Sequence, residues 1–160
     1  MPDELILPEL QGVRFTFKRR PSALPAELRP FWRVGALVLI LSILCKGGKS
    51  NLQRLYVLNW ALRTKESREE FTDVINNHID PEDVIVRFDP GLLRAQDFAV
   101  GERLIRRVGG DSVELTDSGK KFAADLSNSD VFQVERDYLT SLKNKVSEAK
   151  IKSLLSMGRN

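Results

Sequence analysis

The chain has 160 residues, 42% hydrophobic and 29% charged, with a formal net charge of +3, a make-up that suits one globular domain with room for a buried core. Its single cysteine, Cys45, permits no internal disulfide, and Cys45 with the single histidine, His78, cannot assemble a conventional structural zinc site. Charge is unevenly laid out: residues 14–33 carry six cations against Glu27, residues 65–83 seven carboxylates against two cations, and residues 138–160 five cations against Glu148. Basic ends therefore flank an acidic waist, a pattern that favours partners of opposite charge.

The opening "MPDELILPEL" is acidic and holds no long apolar run, unlike a secretory signal, so a cytoplasmic protein is expected. Residues 1–30 read as an N-terminal arm. Within it "GVRFTFKRR" alternates Val13, Phe15 and Phe17 with Arg14, Thr16 and Lys18, the period of a half-buried strand. Phe15, Phe17, Arg19 and Arg20 are candidate partner-binding residues, because such a strand can add to a neighbour's sheet. The alternative is pairing within the chain, with the hairpin described below or with residues 84–88. Prolines at 21, 25 and 30 keep the rest of the arm irregular.

"FWRVGALVLILSILC" (31–45) is apolar on nearly all sides but only 15 residues long, short of the ~20 that cross a bilayer. It is expected as the central helix of a soluble core, ending at Gly47-Gly48. "GGKS" (47–50) looks like the end of a phosphate-binding loop, yet that pattern requires glycine at position 43, where Ile43 stands, and a preceding strand rather than a helix. A second helix over "KSNLQRLYVLNWALRT" is expected to start with a Ser50/Gln53 capping box, and a third with a Ser67/Glu70 box. In the third, Phe71, Val74, Ile75 and His78 recur at helical spacing and predict a core-facing stripe ended by Asp80-Pro81. His78 is thereby read as a packing residue rather than a catalytic base, and Cys45 as a small hydrophobe.

"DVIVRF" (83–88) predicts a short strand or an extended link. Asp89 and Pro90 then supply an N-cap and a first-turn proline for a helix over 91–104. Strands at 104–108 and 112–115 flank a Gly-Gly-Asp turn, and Thr116 caps a helix that turns Phe122 and Leu126 inward. The expected class is mainly α with a small β hairpin: a winged-helix domain over 31–127, preceded by the arm and followed by amphipathic helices over 128–160. Arg94, Arg103, Arg106, Arg107, Lys120 and Lys121 are the candidate DNA-binding cations. Arg94 and Arg103, nine residues apart, are expected on opposite sides of one helix. Asp97, Glu102, Asp111, Glu114 and Asp117 are interspersed among these cations and oppose phosphate. In the C-terminal helices Val131, Val134, Tyr138, Leu142 and Val146 predict one apolar face, and Ile151, Leu154 and Leu155 another. Tyr138, Leu142, Ile151 and Leu154 are candidate partner-binding residues, since terminal amphipathic helices often dock.

Three segments, "GGKSNLQRLYVLNWALRT", "VRFDPGLLRAQDFAVGERLIRR" and "VELTDSGKKFAADL", together resemble the middle component of bacterial ABC three-component systems, the small subunit of Lamassu-type defence complexes. The resemblance implies a winged-helix accessory subunit that is not an enzyme and needs no metal or cofactor. It implies partners too: an SMC-like ABC ATPase and an effector nuclease in a hetero-oligomer acting against phages and plasmids, with double-stranded DNA as a further contact. A free-standing winged-helix transcription regulator is the alternative.

Overall fold

The computed structural model describes residues 29–156. The expected strand in the arm, with Phe15, Phe17, Arg19 and Arg20, lies outside the described residues. Helix α1 (Pro30–Leu44) starts on Pro30, whose fixed φ and missing N–H suit a first helical turn. Trp32 and every residue from Val34 to Leu41 are buried. Helices α2 (Leu52–Arg63), α4 (Pro90–Gly101), α5 (Asp117–Ser127) and α6 (Gln133–Leu142) all pack against it. A helix apolar all round is satisfied only when neighbours enclose it, and here they do. Among the described residues no helix is long and apolar enough to cross a membrane.

After a single 3-10 turn at Lys46–Gly48 comes a strand that the sequence pattern did not predict, β1 (Lys49–Asn51). "KSN" has no apolar alternation. It becomes a strand because it pairs antiparallel with β3 (Ser112–Leu115), Ser50 opposite Val113. With β2 (Ile105–Val108) on the far side, the sheet order is β1-β3-β2. The hairpin turn between β2 and β3 holds Gly109 and Gly110 at φ 32° and 63°, values that cost a side chain but not glycine. Together these describe a mainly helical protein with a small antiparallel sheet.

Pairing of β1 also moves the cap of α2. Asn51, not Ser50, accepts from the Arg54 N–H at 2.9 Å, because Ser50 is buried in the sheet. Helix α3 (Lys65–Ile75) likewise starts earlier than its Ser67/Glu70 signature, with Thr64 Oγ1 accepting from the Ser67 N–H at 3.1 Å. It also stops earlier. Asn77 takes a left-handed φ of 58°, so His78 falls beyond the helix and is exposed rather than on the core stripe. Residues 84–89 are extended but join no sheet, so the link rather than the strand is found.

The C-terminal helices α6 and α7 (Glu148–Ser156) pack on the first two helices. Helix α6 lies on α1, and α7 on α2. Phe132 packs where α1 has Gly35; a Cβ there would collide with its ring. The Phe132 ring stacks on Trp32 at 6.2 Å, and Trp32 Nε1 donates to Glu135 at 3.2 Å. Because Phe132 takes the inward place at the start of α6, Val131 and Val134 face water instead of joining the expected apolar face.

Candidate interaction surface

Tyr138, Leu142, Ile151 and Leu154 are occupied inside the chain. Leu142, Ile151 and Leu154 are buried, and the Tyr138 hydroxyl donates to the Arg68 carbonyl at 3.0 Å, tying α6 to α3. Burial pushes the Tyr138 phenol up to about 12. Lys150 on α7 adds a second tie by donating to the Val74 and Ile75 carbonyls at the end of α3, where a cation also complements the helix dipole. These residues form core and joints, so they leave no open apolar face for a partner.

The candidate DNA-binding cations divide into two groups. Arg106 stands opposite Glu114 in the β2–β3 register and donates to it through Nε at 3.1 Å and Nη2 at 2.9 Å. Its neighbour Arg107 points to the other face of the strand and donates to Asp97 on α4 at 2.5 Å. Lys120 lies 3.9 Å from Asp117. Arg94, Arg103 and Lys121 are exposed and, among the described residues, have no carboxylate partner. Arg103 is not on α4 at all: the helix ends at Gly101, and Arg103 follows in a turn with φ 59°. The predicted opposition of Arg94 and Arg103 across one helix therefore does not apply. The six do not converge on one cationic stripe.

What the pattern of α4 does expose is apolar. Leu93, Arg94, Asp97 and Phe98 form its outward stripe at i, i+3 and i+4 spacings, while Leu92, Ala95, Gln96 and Ala99 face inward. Phe98 is 47% exposed and meets Phe31, 78% exposed, edge to face at 6.2 Å. Between α1 and α4 these rings border a groove of about 410 Å³ that Val34 and Ala95 also line, with Arg94 at its rim. The sequence reading missed Phe31 and Phe98. Phe31 was absorbed into an apolar run, and only its place in the first turn of α1 turns it to water.

Beneath this groove Asp89 holds α1, α2 and α4 together. Its Oδ1 accepts from the Gly91 N–H at 2.9 Å, capping α4; its Oδ2 takes the Arg33 guanidinium, with Asn59 Nδ2 at 3.4 Å and Arg63 Nη1 at 3.8 Å. Burial alone pushes the Asp89 carboxyl up, but the Gly91 N–H and the Arg33 and Arg63 charges outweigh it and hold the group below its ordinary value. Asp89 thus stays ionised because both donors and cations meet it.

His78 Nδ1 is 3.3 Å from Asp73 Oδ1 on the open surface. Burial raises the Cys45 thiol against the opposing Arg54 charge, the reverse of what a reactive thiolate requires. The "GGKS" backbone turns from helix into strand, not from strand into helix. Among the described residues no group of three or more His, Cys, Asp or Glu is placed to hold a metal. No protein-family model matches the chain, and no curated protein or solved structure matches it significantly.

Proposed function

We propose that this chain is a non-catalytic winged-helix subunit whose main business is contact with other proteins. Its topology supports the winged-helix reading: a first helix, a short strand, further helices, then α4 leading into a ribbon whose inner strand pairs back with β1. The observation that carries the choice of partner is the exposed Phe31–Phe98 pair at the α1–α4 groove, set beside ribbon arginines already matched by carboxylates. Apolar anchors in a groove with a cation at the rim suit protein recognition. The resemblance to the middle component of ABC three-component systems extends this to an assembly. In it the chain bridges an SMC-like ABC ATPase and an effector nuclease in anti-phage and anti-plasmid defence, while the ATPase supplies nucleotide hydrolysis and most DNA binding.

Native-level affinity purification tests the assembly. A coiled-coil ATPase encoded beside this gene copurifies with the wild-type chain and is lost with Phe31→Asp/Phe98→Asp, whereas Arg106→Ala/Arg107→Ala retains it. Purification that recovers no ATPase sinks the proposal. The unmatched Arg94, Arg103 and Lys121 favour a second reading, a winged-helix DNA-binding regulator. It predicts nanomolar, sequence-selective gel shifts on upstream DNA by the isolated protein, steeply weakened by salt.

A further inference from the structure

Residues 84–88, "VIVRF", run without turn or bend from the 3-10 turn at Pro81–Asp83 to the N-cap of α4, extended at Val84 and at Asp89, and belong to no sheet among the described residues. From 84 to 87 the segment alternates: Val84 is buried and Val86 half-buried, while Ile85 is 77% exposed and Arg87 is exposed; Phe88, 56% exposed, departs from it and meets the Tyr56 ring at 4.9 Å. That alternation is the mark of a strand with one face on a core. Among the described residues, no backbone N–H or C=O of Ile85, Val86, Arg87 or Phe88 takes part in a hydrogen bond. Backbone polar groups without a protein partner turn to water, and an ordered row of them is a template for another strand.

The charge beside this edge is specific. A cleft of about 410 Å³ follows it, walled by the start of α3 and by Asp83, with Glu66, Glu70, Ile85 and Arg87 on its lining. Glu66, Glu70 and Asp83 have no ion-pair partner among the described residues, because Lys65 is engaged by Glu69 and Arg63 lies beside Asp89. All three belong to the acidic stretch 65–83, and Arg63 and Arg87 are the cations that share the lining.

We infer that the 84–88 edge is a docking site for an extended strand of a partner protein in which apolar residues alternate with basic ones. Main-chain hydrogen bonds to residues 85–88 supply the pairing, apolar side chains cover Ile85, and basic side chains on the same strand meet Glu66, Glu70 and Asp83. Neutral strands lack the second contact and acidic ones are repelled, so the carboxylates select among the many strands that an open edge would otherwise accept. This site lies apart from the α1–α4 groove, so the ATPase assembly and the strand site fail or stand separately.

The probe is a labelled peptide of alternating valine and lysine, VKVKVKVK, added to the full-length protein and followed by fluorescence anisotropy and hydrogen exchange. Saturable binding is expected, with slowed exchange at the amides of 85–88. Affinity falls at least tenfold in Glu66→Lys/Glu70→Lys, at an exposed and a half-buried position, with the fold checked by circular dichroism. Equal binding of a scrambled peptide of the same composition overturns strand pairing, as does unchanged exchange at 85–88 in the complex. Amides already protected in the free protein also overturn the assignment: independence of concentration identifies the chain's own arm as occupant, and dependence on it a second copy.

Discussion

Along the β2–β3 ribbon both arginines have a carboxylate within reach, whereas on the α1–α4 face two large aromatic side chains, Phe31 and Phe98, stand open to water. The two regions adjoin, sharing α4 through Asp97 and Phe98. An exposed ion pair is satisfied at little gain, about 0.2–1 kcal/mol. An exposed ring is satisfied only by burial, at about 25 cal/mol for each Å² removed from water. Charged residues drew the eye in the sequence because they are chemically distinctive. The unmet demand in the folded molecule is apolar, and that is where a partner gains most.

The sharpest way to test this contrast sets the ribbon pairs against a pair of the same chemistry that is buried. Asp89→Ala leaves Arg33 without its carboxylate and uncaps α4, with an expected loss of about 3–5 kcal/mol in urea unfolding. Lowering the pH approaches the same state. Because the folded-state value of Asp89 is depressed, its contribution is whole above the ordinary carboxylate range and is lost as pH falls through the lowered value. The wild type should therefore lose more stability than Asp89→Asn between neutral pH and the acid limb, measured by melting temperature. Parallel slopes would show that Asp89 is not the group responsible.

Next in size are the C-terminal helices. Leu142→Ala or Ile151→Ala should cost about 2–5 kcal/mol, against about 0.5 kcal/mol or less for Val131→Ala and Val134→Ala. The reverse ranking would restore an open docking face to α6 and α7. On the exposed surface, Phe31→Asp/Phe98→Asp should leave the melting temperature nearly unchanged while weakening partner capture at least tenfold, about 1.4 kcal/mol. The smallest effect belongs to Arg106→Ala, under about 1 kcal/mol and further reduced by added salt.

The sequence patterns that held up were local. Asp89-Pro90, Thr116 and the Gly-Gly turn act within a few residues of themselves, so their roles as cap, cap and turn could be read without knowing any neighbour. The patterns that shifted depended on distant pairing. Ser50 lost its capping role because β3 draws residues 49–51 into a sheet, and His78 left its stripe because the chain turns left-handed at Asn77. Asp97 and Glu114 are legible in the sequence as carboxylates among the cations, but only the fold pairs Glu114 with Arg106 and Asp97 with Arg107. Tyr138, Leu142, Ile151 and Leu154 formed amphipathic faces as predicted, but a face does not specify what covers it. Here α1, α2 and α3 do.

By itself the sequence determined a helical protein built around one largely apolar helix, with a glycine-turned ribbon between later helices, since periodicity, capping and turn chemistry are written in neighbouring residues. Only the tertiary structure decided which charges are matched, that Phe31 and Phe98 meet at a groove, and that residues 84–88 join no sheet among the described residues. Those outcomes follow from which surfaces cover one another, and burial is a property of the assembled chain rather than of any stretch of it.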